Sequence, residues 1–282
     1  MPFRAHSALI CPIDRAPLRL VARQMVCDSG HSFDLARQGY SNLLLSHQKR
    51  SKDPGDSREM VAARHAFLEQ GYYVPLLDYL GDALIPRVSD GATVVDAGCG
   101  EGYYLAGFLE RAAAHGLRIH GIGVDISKWA LQVAARRCPA TWLVASNRAI
   151  PLDDACADVM LDLFGFIQPA EFARVLTPGG LLLRVTAGPE HLLALRSQLY
   201  DEVEEKTAPS ASMAGFILTH RERLQFSLGE LAQPAIGQLL MMTPHGFRAS
   251  RAARERVLAL KRLSIGADIT IEYFSRASAA ES

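Results

Sequence analysis

The sequence predicts a doubly wound α/β domain, its parallel sheet covered on both faces, behind a small N-terminal module bearing cysteine and histidine. Three observations carry this expectation. From Ala92 onward, short apolar runs alternate with segments of helical period, as expected for strands buried on both faces. The first run ends in an acid followed by alternating glycines, Asp96-Ala97-Gly98-Cys99-Gly100-Glu101-Gly102. The first forty residues hold no long periodic element, only short pieces broken by Cys-Pro and Ser-Gly turns.

The elements follow in chain order. Ser51-Lys52-Asp53-Pro54-Gly55-Asp56-Ser57 reads as a polar linker, and Asp56 or Ser57 can cap a helix starting near Arg58. Met60 to Ile85 is helical with a break near Gly71, and Pro86 ends it. Strands are expected at Thr93–Asp96, Ile119–Asp125, Thr141–Val144, Asp158–Phe164 and Leu181–Thr186. Helices are expected at Tyr103–Ala114 and Lys128–Arg137. Further strands are expected at Phe216–Phe226 and Ile269–Phe274, the second alternating as an edge or antiparallel strand does. The resulting division is a module at 1–40, a linker at 41–58 and the α/β domain at 59–282.

Composition narrows the class. At 282 residues with 49% hydrophobic and 21% charged residues, the chain is long enough for one large domain and an appendage. No apolar run is long enough to span a bilayer, and the N-terminus lacks the apolar stretch of a secretory signal, so a cytoplasmic protein is expected. Five scattered cysteines argue against a disulfide framework. Formal net charge is zero, but residues 1–52 carry eight basic residues against three acidic ones, and residues 248–262 six against one. Such segments are either a footprint for phosphate or solvated faces.

The glycine run carries the chemistry. Its glycines let a ligand approach the backbone, and the helix that follows offers free N–H groups. A dinucleotide fingerprint would need glycine at position 103, where Tyr103 stands. Alternating glycines behind an acid match the S-adenosylmethionine version of a Rossmann-like fold instead. Asp125 ends the second strand, where an acid can accept both ribose hydroxyls of a nucleoside. Asn147, after the third strand, is placed to meet the adenine edge. Loop, acid and the turn Thr177-Pro178-Gly179-Gly180 stand in the order of such methyltransferases. The candidate cofactor residues are thus Asp96, Gly98, Cys99, Gly100, Glu101, Gly102, Asp125 and Asn147.

A second constellation is Cys11-x2-Asp14-x12-Cys27-x3-His31, the spacing of a zinc ribbon with one thiolate replaced by carboxylate. It is either a zinc site or a degenerate knuckle held by packing.

With those residues in hand, the chain resembles the bacterial large-subunit (23S) ribosomal RNA guanine-N1 methyltransferases over almost its whole length. The matching stretches are Cys27–Asp34, Gly39–Leu44, His47–Asp56, Asp96–Tyr104, Gly188–Leu192 and Met242–Pro244. The resemblance implies a zinc-bearing N-terminal module that grips an RNA hairpin, a Rossmann-like catalytic domain and a homodimer. It also implies that Tyr73 and His191 line the cofactor site. Two departures stand out. The family has a cysteine where this chain has Asp14. It also has an arginine-containing strand end and an aromatic-small-Pro-Cys turn where this chain reads Asp162-Leu163-Phe164-Gly165-Phe166-Ile167-Gln168.

The expected reaction is methyl transfer to N1 of a guanine in ribosomal RNA. Asp162 is the candidate base, unless strand alternation turns it toward a helix as a cap. Phe164 and Phe166 either stack a base or pack in the core. The rival functions are a small-molecule methyltransferase on the same scaffold and a non-catalytic RNA-binding relative.

Overall fold

A computed structural model describes residues 3–49, 51–203 and 212–277; Arg50, within the first basic segment, lies outside them. The N-terminal module is a three-stranded antiparallel sheet of β1 (Arg19–Val21), β2 (Gln24–Val26) and β3 (Ser32–Asp34). Two helices follow, α1 (Arg58–Leu68) and α2 (Val74–Leu84). The Ser57 side chain caps α1 by accepting the Met60 N–H, and Gly71, at φ +81°, makes the break between the helices.

The alternating part then unfolds as expected. It runs β5 (Thr93–Ala97), α3 (Tyr103–Ala114), β6 (His120–Asp125), α4 (Lys128–Ala134), β7 (Thr141–Val144), β8 (Ala157–Leu163), α5 (Pro169–Val175), β9 (Leu176–Ala187) and α6 (Leu193–Leu199). A long hairpin closes the chain, β10 (Phe216–Ala232) and β11 (Arg262–Arg276), with α7 (Gln233–Met242), α8 (His245–Arg248) and α9 (Arg251–Leu258) between its strands. One further strand, β4 (Ser41–Asn42), pairs parallel to β7. The eight-stranded sheet has the order β10-β11-β9-β8-β5-β6-β7-β4. Strand β5 pairs with both β6 and β8, so the order reverses there, and a ligand crevice opens at the carboxyl ends of these strands.

Three details depart from the sequence reading. Ile269–Phe274 is antiparallel, as one reading had it, but lies inside the sheet between β9 and β10 rather than at its edge. Its residues are buried because both flanks are paired and both faces covered. Ser41–Asn42, assigned to the linker, belongs to the main sheet. The basic stretch 248–262 contains α9, where Arg251 pairs with Glu255, while Arg262 pairs with Glu230. Among the described residues no helix is long and apolar enough to cross a membrane.

The two faces of the sheet are covered differently. Helices α1, α2, α3, α4, α6, α7 and α9 supply one apolar cluster, around Phe67, Leu80, Phe108 and Trp142. On the other face α5 is joined by the N-terminal module, whose Leu9, Leu18, Met25 and Leu43 pack with Val95, Ile122 and Leu143 of the strands. Backbone hydrogen bonds reinforce that docking, from Ile10 N–H to Pro151 and from Asp153 N–H to Ala8. The module therefore acts as a layer of the main core.

Gly123 shows how tightly the first face is packed. A Cβ there would overlap the Trp142 ring and stand 3.0 Å from Cys99 Sγ. Gly123→Ala is expected to destabilise the fold by about 1–3 kcal/mol, through overpacking of a buried indole that has nowhere to move. Urea unfolding measures this, and an unchanged midpoint would show that the layer can yield.

Candidate active site and metal centre

The glycine loop between β5 and α3 is fixed by its neighbour strand. Gly98 and Cys99 both donate their N–H groups to Val124 O, at 2.8 and 3.0 Å. Gly98 has φ +89°, and a Cβ there would touch Asn147 Nδ2 at 3.7 Å and Gly165 Cα at 3.9 Å without overlap, so it is the backbone conformation that calls for glycine. Gly102 is a packing glycine: at φ +79°, its Cβ would meet Trp142 and Ala134 at 2.8 and 2.9 Å.

Asp125 ends β6 and accepts N–H donors with both oxygens, Gly100 at 2.9 Å and Ser127 at 2.7 Å. Burial raises its pKa, opposed by those two donors. Each oxygen keeps a further lone pair for a ligand hydroxyl. Asp96, at the end of β5, is 1% exposed, and neither carboxyl oxygen has a protein partner. Burial first, then the nearby Asp125 and Asp162, push it up to about 8. An uncompensated buried carboxyl is costly, and a cationic ligand reverses that cost. S-adenosylmethionine carries an ammonium, a sulfonium and a ribose diol. The orphaned Asp96 fits the ammonium, the cradle at Gly98 the sulfonium and the acceptor Asp125 the ribose diol.

The remaining expected cofactor residues divide. Tyr73 and His191 come together in a buried wall: His191 Nδ1 accepts the Asp268 N–H at 3.2 Å, which leaves Nε2 protonated 3.4 Å from Tyr73 Oη. The Phe164 ring joins them, its centroid 6.5 Å from Tyr73 and 5.8 Å from His191. Cys99 instead turns its side chain into the core, so it offers the loop only its backbone. Glu101 also points inward: its Oε2 binds Arg137 and lies 3.4 Å from His65 Nδ1. That contact raises the His65 pKa and ties the loop to α1.

Sequence reasoning missed a wall made by the linker. Ser127 Oγ donates to Asp56 O at 2.7 Å, Asp56 pairs with Arg64, and Arg64 Nη2 donates to Met242 O at 3.1 Å. The polar composition of 51–57 concealed this packing. Asp162 is 1% exposed near the end of β8, and its Oδ1 has no partner. A Cβ on Gly165 would overlap that oxygen, so the turn folds directly over it. The described hydrogen bonds include no helix cap made by Asp162. Phe166 is 86% exposed and Phe164 41%, which removes core packing as the account of Phe166.

In the N-terminal module Cys11, Asp14, Cys27 and His31 bring one ligand atom each within 4.8 Å of one another. His31 Nδ1 lies 3.6 Å from Cys11 Sγ, 3.5 Å from Cys27 Sγ and 3.2 Å from Asp14 Oδ2, and Cys27 Sγ lies 3.8 Å from Asp14 Oδ2. Tetrahedral zinc with ordinary bond lengths needs edges of about 3.3 to 3.8 Å. Four of the six edges lie in or next to that range and the other two lie within 4.8 Å, so the four residues fit the ion after a small inward closure. Asp14 is suited to the missing cysteine's place because the Ser29 hydroxyl, the Ala16 N–H and the Cys11 thiol hold its carboxyl well below the usual range.

Comparison with known proteins agrees with this geometry. A family model described as RlmA, N-terminal, a zinc ribbon, matches residues 9–52, and one described as Methyltransferase domain matches residues 94–180. The 23S rRNA (guanine(748)-N(1))-methyltransferase of Streptomyces fradiae is 36% identical over 249 residues, 84% of this chain and 84% of that protein. Two further relatives are named as candidate 23S rRNA (guanine-N(1)-)-methyltransferases. That of Micromonospora griseorubida is 36% identical over 252 residues, 79% of this chain and 83% of its own. That of Bacillus subtilis is 32% identical over 273 residues, 93% of both.

Two outcomes follow from the site. Asp125→Ala is expected to weaken S-adenosylmethionine binding by about 1–3 kcal/mol through lost ribose hydrogen bonds; calorimetry showing equal affinity would remove Asp125 from the site. Protein purified without chelator is expected to carry zinc, and Asp14→Cys to hold it more tightly, because thiolate is the softer ligand. Elemental analysis finding no zinc in either protein would dismiss the metal centre.

Proposed function

The chain belongs to the 23S rRNA (guanine-N1)-methyltransferase family, and from that membership we propose that it methylates N1 of a guanine in 23S ribosomal RNA, with Asp162 as the base. The observation that carries the reading is the Asp162 carboxyl itself. It is buried at the carboxyl end of β8, beside the cofactor cradle, with one oxygen unpartnered under an exposed aromatic turn. Guanine N1 holds a proton at neutral pH, so a group must take it before or during transfer.

Bound S-adenosylmethionine supplies an electrophilic methyl on a sulfonium. Asp162 would accept the N1 proton, which frees the N1 lone pair for the methyl group that the cofactor would supply. Asp162 then returns the proton to water. Phe164 and Phe166 offer faces on which an unstacked base can lie. Phe164 holds a left-handed backbone at φ +57°, strain of roughly 1–2 kcal/mol that aims its ring at Tyr73 and His191. Zinc held by Cys11, Asp14, Cys27 and His31 would fix the module that grips the RNA. A homodimer working in the cytoplasm completes the proposal.

Burial pushes Asp162 up to about 6 against the opposing pull of Arg184. The base acts only when ionised, so the single-turnover rate is expected to fall as pH drops below about 6. Asp162→Asn is expected to keep S-adenosylmethionine affinity, to lower the neutral rate about 10²–10⁴-fold and to abolish that acid limb. A variant that methylates at the normal rate across this range would exclude Asp162 as the base.

A further inference from the structure

Four charged residues stand side by side across four strands. The register places Asp162 on β8 opposite Arg184 on β9, Arg184 opposite Glu272 on β11, and Glu272 opposite Arg221 on β10. Side chains paired in this way share one face of a sheet. The outer end of this ladder is closed: Arg221 donates to Glu272 Oε1 through Nε at 3.0 Å and Nη2 at 2.5 Å. The inner end is open. Arg184 Nε is 3.8 Å from Asp162 Oδ2, and its Nη1 is 3.6 Å from Glu272 Oε2, both beyond hydrogen-bond length. Arg184 Nε, Asp162 Oδ1, Glu272 Oε2 and Thr186 Oγ1 are all buried without a partner. Buried polar groups are rarely left unpaired, and three on the adjoining rungs Asp162, Arg184 and Glu272 mark a spot where a polar ligand completes the bonding.

The donor and acceptor pattern identifies the ligand. Guanine presents the O6 acceptor beside the N1–H donor. We propose that Arg184 donates to O6 of the target guanine while Asp162 accepts from N1–H, so that Arg184 selects guanine and holds the charge that deprotonation creates. The proposal rests on the reading of Asp162 as the base. As the N1 proton leaves for Asp162, negative charge spreads from N1 onto O6, and a guanidinium fixed there stabilises the charged base more than the neutral one. Adenine is rejected twice: its 6-amino group faces Arg184, a donor against a donor, and its N1 lone pair faces the Asp162 carboxylate. Glu272, anchored by Arg221, keeps Arg184 in place. The Arg184 side chain is 19% exposed, against 2% for Asp162 and 0% for Glu272, so of the three it is the one solvent reaches.

The ionisable groups facing this pair are Glu272 on β11, with Arg221 behind it, and Asp96 at the end of β5. The turn from Phe164 to Ala170 contributes none. Arg184→Gln, Arg184→Lys and Asp162→Asn are therefore compared on unmethylated 23S ribosomal RNA in single turnover, from pH 6 to pH 9. Arg184→Gln is expected to keep S-adenosylmethionine affinity and to lose about 10²–10³-fold in rate at pH 7. The deficit should shrink as rising pH removes the guanine proton without help, and Arg184→Lys should recover part of it. A deficit equal at every pH would mean that Arg184 only props up the fold, and a normal rate would remove it from the site; either overturns the proposal. If Asp162→Asn is fully active while Arg184→Gln shows the pH-dependent deficit, the base assignment falls and the O6 contact stands. If Asp162→Asn alone is impaired, the base assignment stands and the O6 contact falls.

Discussion

A parallel sheet has to be covered on both faces, and the rest of this molecule follows from how that is done. Helices cover one face, as is usual. On the other face a single short helix, α5, leaves β5, β6 and β7 bare, and the N-terminal module fills the gap with Leu9, Leu18, Met25 and Leu43. Among the described residues the module's sheet has three strands of three residues each, mostly exposed, which bury little apolar surface by themselves. The module depends on the main sheet for apolar cover, and Cys11, Asp14, Cys27 and His31, gathered within 4.8 Å of one another, would add a local metal tie. Metal binding, module folding and integrity of the catalytic sheet are thereby linked, since Cys11 and Cys27 sit in the same apolar cluster as Val95 and Ile122.

Covering the faces leaves the carboxyl edge as the open boundary, and there the chain concentrates acids. Asp96, Asp125 and Asp162 end three neighbouring strands, and two of them keep unpartnered oxygens under cover of the protein. That arrangement opposes stability: burial, and then Asp125 and Asp162, raise the pKa of Asp96. It suits a cationic cofactor, which lowers the repulsion on arrival. Asp125 is the exception: two backbone donors hold it, so it is oriented before any ligand binds.

Much of this was legible in the sequence. The helix Tyr103–Ala114 and the strand Thr141–Val144 stand at the expected residues, because short buried strands and a glycine-led helix have strong local signals. The glycine loop and Asp125 were legible for the same reason. The terminal hairpin was underestimated: β10 is 17 residues long and β11 is 15. Register shifts between Leu218 and His220, and between Ser227 and Gly229, each reverse the side-chain alternation and break the period that marks a strand. The inward turn of the Cys99 and Glu101 side chains was not legible, because a loop motif gives spacing but not the direction of each side chain. The charge ladder was invisible for a deeper reason. Its members lie on four strands, and cross-strand register is a property of the fold rather than of any window of sequence.

The two departures from the family pattern gain a common physical sense. At position 14 a carboxylate replaces a thiolate, yet its oxygen lies at a tetrahedral edge distance from His31. The charge and the ligand count survive, and only the softness of the ligand changes. Where the resemblance implies an arginine-containing strand end, this chain reads Asp162 to Gln168, and the adjacent strand brings Arg184 into register with Asp162. A cation therefore still lies beside Asp162, the proposed base, supplied from β9 rather than β8. In both places the chemistry lost from one position is recovered by geometry at its neighbours. A site defined by charge and distance tolerates such exchange, whereas a motif defined by residue order does not.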